Sequence, residues 1–175
     1  MAASRVAAGI LLSRILGLLR DRAFAHYFGA SALADVWKAA LRIPNFLQNL
    51  LGEGSLSGSF IPVYARLLEE GREEEAGRVA GAVLGLLTRA AGVLAAAGVW
   101  VAPLLADVIV PGYSEDGRRE ALIPLLRILF PMTGVLVISA WALGILNSHR
   151  RFFVSYVAPA VWNLAMIVAL IVAGG

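Results

Sequence analysis

The sequence contains no cysteine and only two histidines in 175 residues. Without cysteine there are no disulfides, no thiol nucleophile and no thiolate metal site. Two histidines are too few for a histidine metal cluster or a triad. Charge is also scarce, at 15% of residues against about a quarter in soluble domains. Lysine is nearly missing: Lys38 stands alone and the other fourteen basic residues are arginine. That skew accompanies richness in Ala, Gly and Leu, so arginine identity says little and arginine position says more. What the chain has in excess is apolar surface, with 59% hydrophobic residues and a mean hydropathy of +0.78. So short a chain has too little interior to hide that surface from water. A soluble globular enzyme is thereby largely ruled out, and an all-α integral membrane protein is the leading class. The net charge of +3 is not a nucleic-acid signature, because the basic residues are scattered and most lie beside or inside apolar runs.

Three stretches are long and almost uncharged. Val79–Ala106 carries one charge, Arg89; Ala121–Leu146 carries one, Arg127; Phe152–Gly175 carries none. Each exceeds the ~20 residues that a helix needs to cross the hydrocarbon. Two earlier stretches are long enough but hold charges. The expectation is five spanning helices, over about 6–28, 36–65, 79–106, 121–146 and 152–174. Between them, Phe28-Gly29-Ala30-Ser31 reads as a helix stop with Ser31 as the next cap. Leu68–Arg78 reads as a solvated loop or short surface helix, and Pro111-Gly112 and Asp116-Gly117 as turns. With the N-terminus inside, the cytoplasmic loops hold Arg5, Arg66, Arg72, Arg78, Arg150 and Arg151, while the outer loops hold Arg118 and Arg119. Six against two favours a cytoplasmic N-terminus. A secretory signal peptide fits poorly, because Arg14 splits its apolar run and Arg20-Asp21-Arg22 sits where that run should end.

The first two spans hold the chemistry. Arg14, Arg20, Asp21 and Arg22 lie in the first; Asp35, Lys38, Arg42 and Glu53 lie in the second region. An ionised group at mid-membrane costs at least ~2.5–3.5 kcal/mol, so it ordinarily faces a bundle interior or a wet cavity. On a regular helix Asp35, Lys38, Arg42, Asn45, Asn49 and Glu53 share a sector of roughly 80°. Their stripe is about 27 Å long, too long for snorkelling at one end. In the first span Arg14 and Arg20 are about 120° apart with Gly17 between them, which makes a concave cationic site. The plainer reading is an ion-pair network, Arg14 with Asp21 or Arg20 with Asp35, that only holds helices together. Pro44 should kink the second span. Gly52, Gly54 and Gly58, interleaved with serines, make a bendable stretch after it. Gly17, Pro44, Gly52 and Gly54 are the candidate hinges. Gly81, Gly85, Gly92 and Gly98 suit close helix packing, and Asn147 and Asn163 suit hydrogen bonds between helices.

Several segments, taken in order, resemble one family. They are Ser13-Arg14-Ile15-Leu16-Gly17-Leu18-Leu19-Arg20-Asp21, Phe28-Gly29-Ala30, Ala34-Asp35, Arg42-Ile43-Pro44-Asn45, and Gly52-Glu53-Gly54 with Phe60-Ile61-Pro62. Gly144-Ile145-Leu146-Asn147, Arg150-Arg151-Phe152 and Ala158-Pro159 with Asn163 continue the set. Together they resemble the MurJ (MviN) lipid II flippase family, of the multidrug/oligosaccharidyl-lipid/polysaccharide exporter superfamily. The resemblance implies a multi-pass protein of the bacterial inner membrane. It would move the undecaprenyl-diphosphate-linked peptidoglycan precursor, lipid II, to the outer leaflet by alternating access through a cationic central cavity. It implies substrate contact by Arg14, Arg20, Asp35 and Glu53, with Arg42 supplying part of the charge. Asp21, Asn45, Gln48 and Asn49 would line the cavity or pair within it. Gln48 departs from the pattern, because the family commonly carries arginine there. The chain resembles most of the first of two lobes, so a fragment of a longer chain is expected, with the second lobe as its partner alongside lipid II and membrane lipids.

Binding a diphosphate through arginines needs no covalent step, since guanidinium groups grip phosphate oxygens and do not lose their proton. No catalytic residue, metal or cofactor is expected, and nucleic acid is not a partner. Two other readings stay open. One is a same-superfamily exporter of another lipid-linked or small-molecule cargo. The other is a non-transporting membrane scaffold whose charges form an interhelical lattice.

Overall fold

The computed structural model describes residues 2–54, 56–114, 117–149 and 152–174; the side-chain surroundings of 2–6, 52–54, 57, 114, 152–154, 156 and 173–174 lie outside that description. Among the described residues the chain is all helical, with seven α-helices and no strand. Two compact units form, Met1–Ser31 with His149–Gly175, and Ala32–Ser148.

The first unit is a helix pair. α1 (Ala2–Phe28) runs unbroken through Gly17 and the Arg20-Asp21-Arg22 cluster. It stops where Gly29 takes φ 55°, a left-handed conformation that glycine adopts without strain, and the Gly29 N–H closes the last turn on the Ala25 carbonyl at 2.9 Å. α7 (Phe152–Gly174) packs along α1. Leu11, Leu18, Val168 and Val172 remain exposed, so this unit keeps an apolar exterior.

The second unit begins with α2 (Ala32–Ala40) and α3 (Arg42–Gln48). Two π-helical turns follow, Asn49–Gly54 and Leu56–Phe60, and then α4 (Ile61–Glu69). The stretch expected as one span over 36–65 is therefore helical but not one regular α-helix. Pro44 has no N–H to donate to the Ala40 carbonyl, and the chain turns at Leu41. The glycine- and serine-rich segment then widens into π turns, where weak helix formers least resist departure from α geometry.

α5 (Glu73–Ile109) and α6 (Arg118–Ser148) form a long hairpin, linked through the short 3-10 turn Pro111–Ser114. At about 1.5 Å per residue both exceed the ~30 Å of hydrocarbon. Among the described residues these two are long and apolar enough to cross a bilayer, with 18-residue stretches of mean hydropathy 1.9 and 2.1. The polar run 68–78 is mostly helix ends, with a tight Glu70–Arg72 turn between them. Gly71 at φ 71° donates to the Leu68 carbonyl, and the Arg72 N–H reaches the Leu67 carbonyl at 2.9 Å. This pair of bonds caps α4 and reverses the chain. Arg72 then bridges Glu70 and Glu75 at 2.7 Å each, which raises its own pKa and holds the Glu75 carboxyl below the usual range.

One core gathers Val36, Ala39 and Ala40 of α2, Ala102 and Ala106 of α5, and Leu122, Leu126, Leu129 and Phe130 of α6. A second gathers Leu56, Phe60, Tyr64, Leu67, Ala76, Ala80, Leu87 and Val137. Of the four α5 glycines expected to pack closely, Gly98 does so: a Cβ there would lie 2.1 Å from the Phe130 ring. Gly81, Gly85 and Gly92 have nothing within 4 Å of where a Cβ would stand.

Candidate functional site

The candidate residues divide between the two units. Arg14, Gly17, Arg20 and Asp21 belong to the first; Asp35, Arg42, Pro44, Asn45, Gln48 and Asn49 belong to the second. Glu53 falls outside the described side chains, and the hinge candidates Gly52 and Gly54 lie in the first π turn.

In the first unit Arg20 is held from two sides. Its Nε and Nη2 donate to Asp21 Oδ1 at 3.1 and 2.7 Å, and its Nη1 donates to Asn163 Oδ1 at 2.9 Å. Asn163, on α7, is 7% exposed, and its Nδ2 donates to the Ser13 carbonyl at 3.2 Å. Both ends of one buried amide are thus used, which fixes its orientation and ties α1 to α7. Gly17 faces this amide; a Cβ there would stand 3.5 Å from Asn163 Nδ2. Arg14 is exposed, and among the described residues its side chain makes no ion pair or hydrogen bond. The expected pairing of Arg14 with Asp21 gives way to Asp21 with its neighbour Arg20. Asn163 was expected only to bond between helices; its grip on Arg20 links positions 143 apart, which no local pattern announces.

In the second unit the polar stripe is exposed. Asp35, Lys38, Arg42, Asn45 and Asn49 are open, while Val36, Ala39, Ala40 and Pro44 are buried and Gln48 is half-buried. The stripe therefore lies opposite the face that packs on α6, despite the break at Leu41. Asp35 Oδ2 accepts from Arg118 Nη1 at 3.4 Å. The Arg118 guanidinium also sits 4.1 Å from the centre of the Tyr113 ring, within cation–π range. Next to it Arg119 donates to both Asp107 oxygens, at 2.5 and 3.0 Å. These two hydrogen bonds lower the Asp107 carboxyl pKa and raise that of Arg119. Sequence reasoning counted Arg118 and Arg119 only as loop charges. Nothing local connects Arg118 to Asp35, 83 positions away.

An apolar groove of about 290 Å³ lies between the second π turn, α4 and α5, lined by Leu56, Phe60, Val63, Val79, Val83 and Leu87. It holds none of the candidate charges. Among the described residues no group of three or more acidic or histidine side chains is placed to hold a metal ion.

Residues 24–175 match the family described as "Lipid II flippase MurJ". A "Probable lipid II flippase MurJ" of Bdellovibrio bacteriovorus is 39% identical over 93% of this chain and 32% of its own length. One of Aquifex aeolicus is 34% identical over 94% of this chain and 32% of its own length. The "Lipid II flippase MurJ" of Burkholderia cenocepacia is 32% identical over 92% of this chain and 31% of its own length. The chain spans about a third of the length of these curated relatives. With the family match running over most of its residues, the chain belongs to the lipid II flippase MurJ family.

Proposed function

We propose that this chain contributes most of the first lobe of a lipid II flippase in the bacterial inner membrane. Five spans, over about 6–28, 36–65, 79–106, 121–146 and 152–174, cross the bilayer with the N-terminus in the cytoplasm. The remainder of the transporter, a second lobe, completes a central cavity that opens to one side at a time. Arg14, Arg20 and Arg42 receive the diphosphate of the cargo, with Asp35 and Glu53 balancing their charge. Gly17, Pro44, Gly52 and Gly54 are the points about which the lining helices bend. The protein is a transporter rather than an enzyme.

The observation that carries this reading is the exposed stripe on the α2–α3 segment. A scaffold would bury or pair its charges, because an unpaired ion in lipid is costly. Here Lys38 and Arg42 stand open on the face turned away from the packed core. Arg20, fixed by Asn163 and Asp21, supports it from the first unit. The scaffold reading draws on the Arg20–Asp21 and Asp35–Arg118 pairs. It does not account for Arg14 or for the open stripe.

The test uses the gene product as the cell makes it, in cells depleted of their own flippase. Arg14→Ala and Arg20→Ala reach the membrane at the usual level and fail to support growth. Normal growth with both arginines removed contradicts the role assigned to them.

A further inference from the structure

α7 carries no charged residue and a single side-chain amide, Asn163. That amide is 7% exposed and turned towards α1. Burying a polar group costs free energy unless it is bonded. Here both ends are bonded to α1: Nδ2 donates to the Ser13 carbonyl at 3.2 Å, and Oδ1 accepts from Arg20 Nη1 at 2.9 Å. Ser13 lies seven residues before Arg20, about two helical turns. The bond to the Ser13 backbone anchors the amide, and the anchored oxygen holds the guanidinium.

These bonds also decide which donors of Arg20 stay free. A guanidinium has five N–H donors. Nε and Nη2 each give one hydrogen to Asp21 Oδ1, and Nη1 gives one to Asn163. Among the described residues two hydrogens are left, one on each terminal nitrogen. Two oxygens of a phosphate can accept such a pair. The Arg20 side chain is 33% exposed, so an anion can reach it. The two groups that hold Arg20 differ in kind. Asp21 is an exposed carboxylate on the same helix, and an exposed pair of this sort holds weakly. Asn163 is buried and neutral, so it orients the guanidinium without cancelling the charge that attracts an anion.

We propose that Asn163 is a positioning residue: it holds the Arg20 guanidinium with one free donor on each terminal nitrogen, set to take a phosphate of a lipid-linked cargo. A long side chain loses rotamer freedom when it binds, and Asn163 removes that loss beforehand. The inference deepens the flippase reading and rests on it for the cargo.

The experiment is a double-mutant cycle read in cargo affinity, with the full gene product purified in detergent. The probe is labelled lipid II, and undecaprenol, which lacks the phosphates, is the blank. Each Kd is taken well below the variant's own unfolding midpoint. Asn163→Leu keeps the volume and removes the acceptor. It is expected to weaken lipid II binding about three- to tenfold, the factor that ordering one long side chain in advance is worth. In the Arg20→Ala background the same substitution is expected to change the Kd by less than about twofold, because the group it positions is gone. An amide that only braces α1 against α7 would instead cost the same factor in both backgrounds. Asn163→Ser, smaller and still polar, repeats the cycle with less disturbance of the packing. An unchanged Kd with Arg20 present, or an equal loss with and without it, overturns the positioning role. If Arg20→Ala alone still weakens binding in that case, the flippase reading survives. If the unsubstituted protein binds lipid II no better than undecaprenol, the flippase reading fails and the inference falls with it.

Discussion

Arg20 Nη1 lies 2.9 Å from Asn163 Oδ1, and the other end of the same amide holds the Ser13 carbonyl. A single buried side chain of α7 thereby sets the position of the Arg20 guanidinium. Asn163→Leu removes both bonds and leaves the Ser13 carbonyl and one face of Arg20 without their partner. The expected cost is about 1–3 kcal/mol of stability. Thermal unfolding in detergent checks it, and an unchanged midpoint counts against the amide as the tie between α1 and α7.

Gly98 and Gly92 make a matched pair of tests on one helix. A Cβ at Gly98 meets the Phe130 ring at 2.1 Å, whereas one at Gly92 meets nothing within 4 Å. Gly98→Ala must displace a core aromatic and is expected to destabilise by about 1–3 kcal/mol. Gly92→Ala gains helix propensity and is expected to be neutral or stabilising by up to about 1 kcal/mol. Equal effects of the two substitutions would refute the close approach at Phe130.

Gly71 has a conformational role. Its φ of 71° closes the α4 cap, and the bonds from Gly71 and Arg72 to Leu68 and Leu67 depend on it. Gly71→Val is expected to cost about 1–2 kcal/mol, and Gly71→Asn less, because asparagine tolerates the left-handed region. Denaturation midpoints of the two variants should rank in that order.

The Asp107–Arg119 pair has a pH signature. Hydrogen bonds from Arg119 hold the Asp107 carboxyl below its ordinary value. A carboxylate depressed in the folded state adds stability above its unfolded pKa of about 3.9, and that stability is lost as pH falls through the lower folded value. Arg119→Gln should raise the Asp107 pKa, read by carboxyl-carbon NMR titration. An unmoved titration would exclude Arg119 as the cause.

Much of this architecture is legible from composition and run length. The bodies of α5, α6 and α7 follow the apolar stretches and α1 stops at the glycine at 29, whereas α5 and α6 run on into the flanking charged residues, from Glu73 and Arg118. The α2–α4 region is less legible. A wheel at a fixed pitch cannot anticipate the turn at Leu41 or the π turns after Gln48. The stripe nevertheless stays exposed through Asn49, because apolar side chains between its members hold the opposite face against α6. The two contacts that organise the candidate charges, Arg20 with Asn163 and Asp35 with Arg118, join residues 143 and 83 positions apart. Such pairs are set by helix packing, which one sequence does not display. Four glycines looked equivalent on α5, and only the facing Phe130 distinguishes Gly98.

The most direct test of the central claim is movement of lipid II itself. The full gene product is reconstituted into vesicles with labelled lipid II, and the fraction reaching the opposite leaflet is measured. The account predicts transfer that requires Arg14 and Arg20 and survives Gly92→Ala. Transfer undiminished in the Arg14→Ala, Arg20→Ala double variant would contradict it.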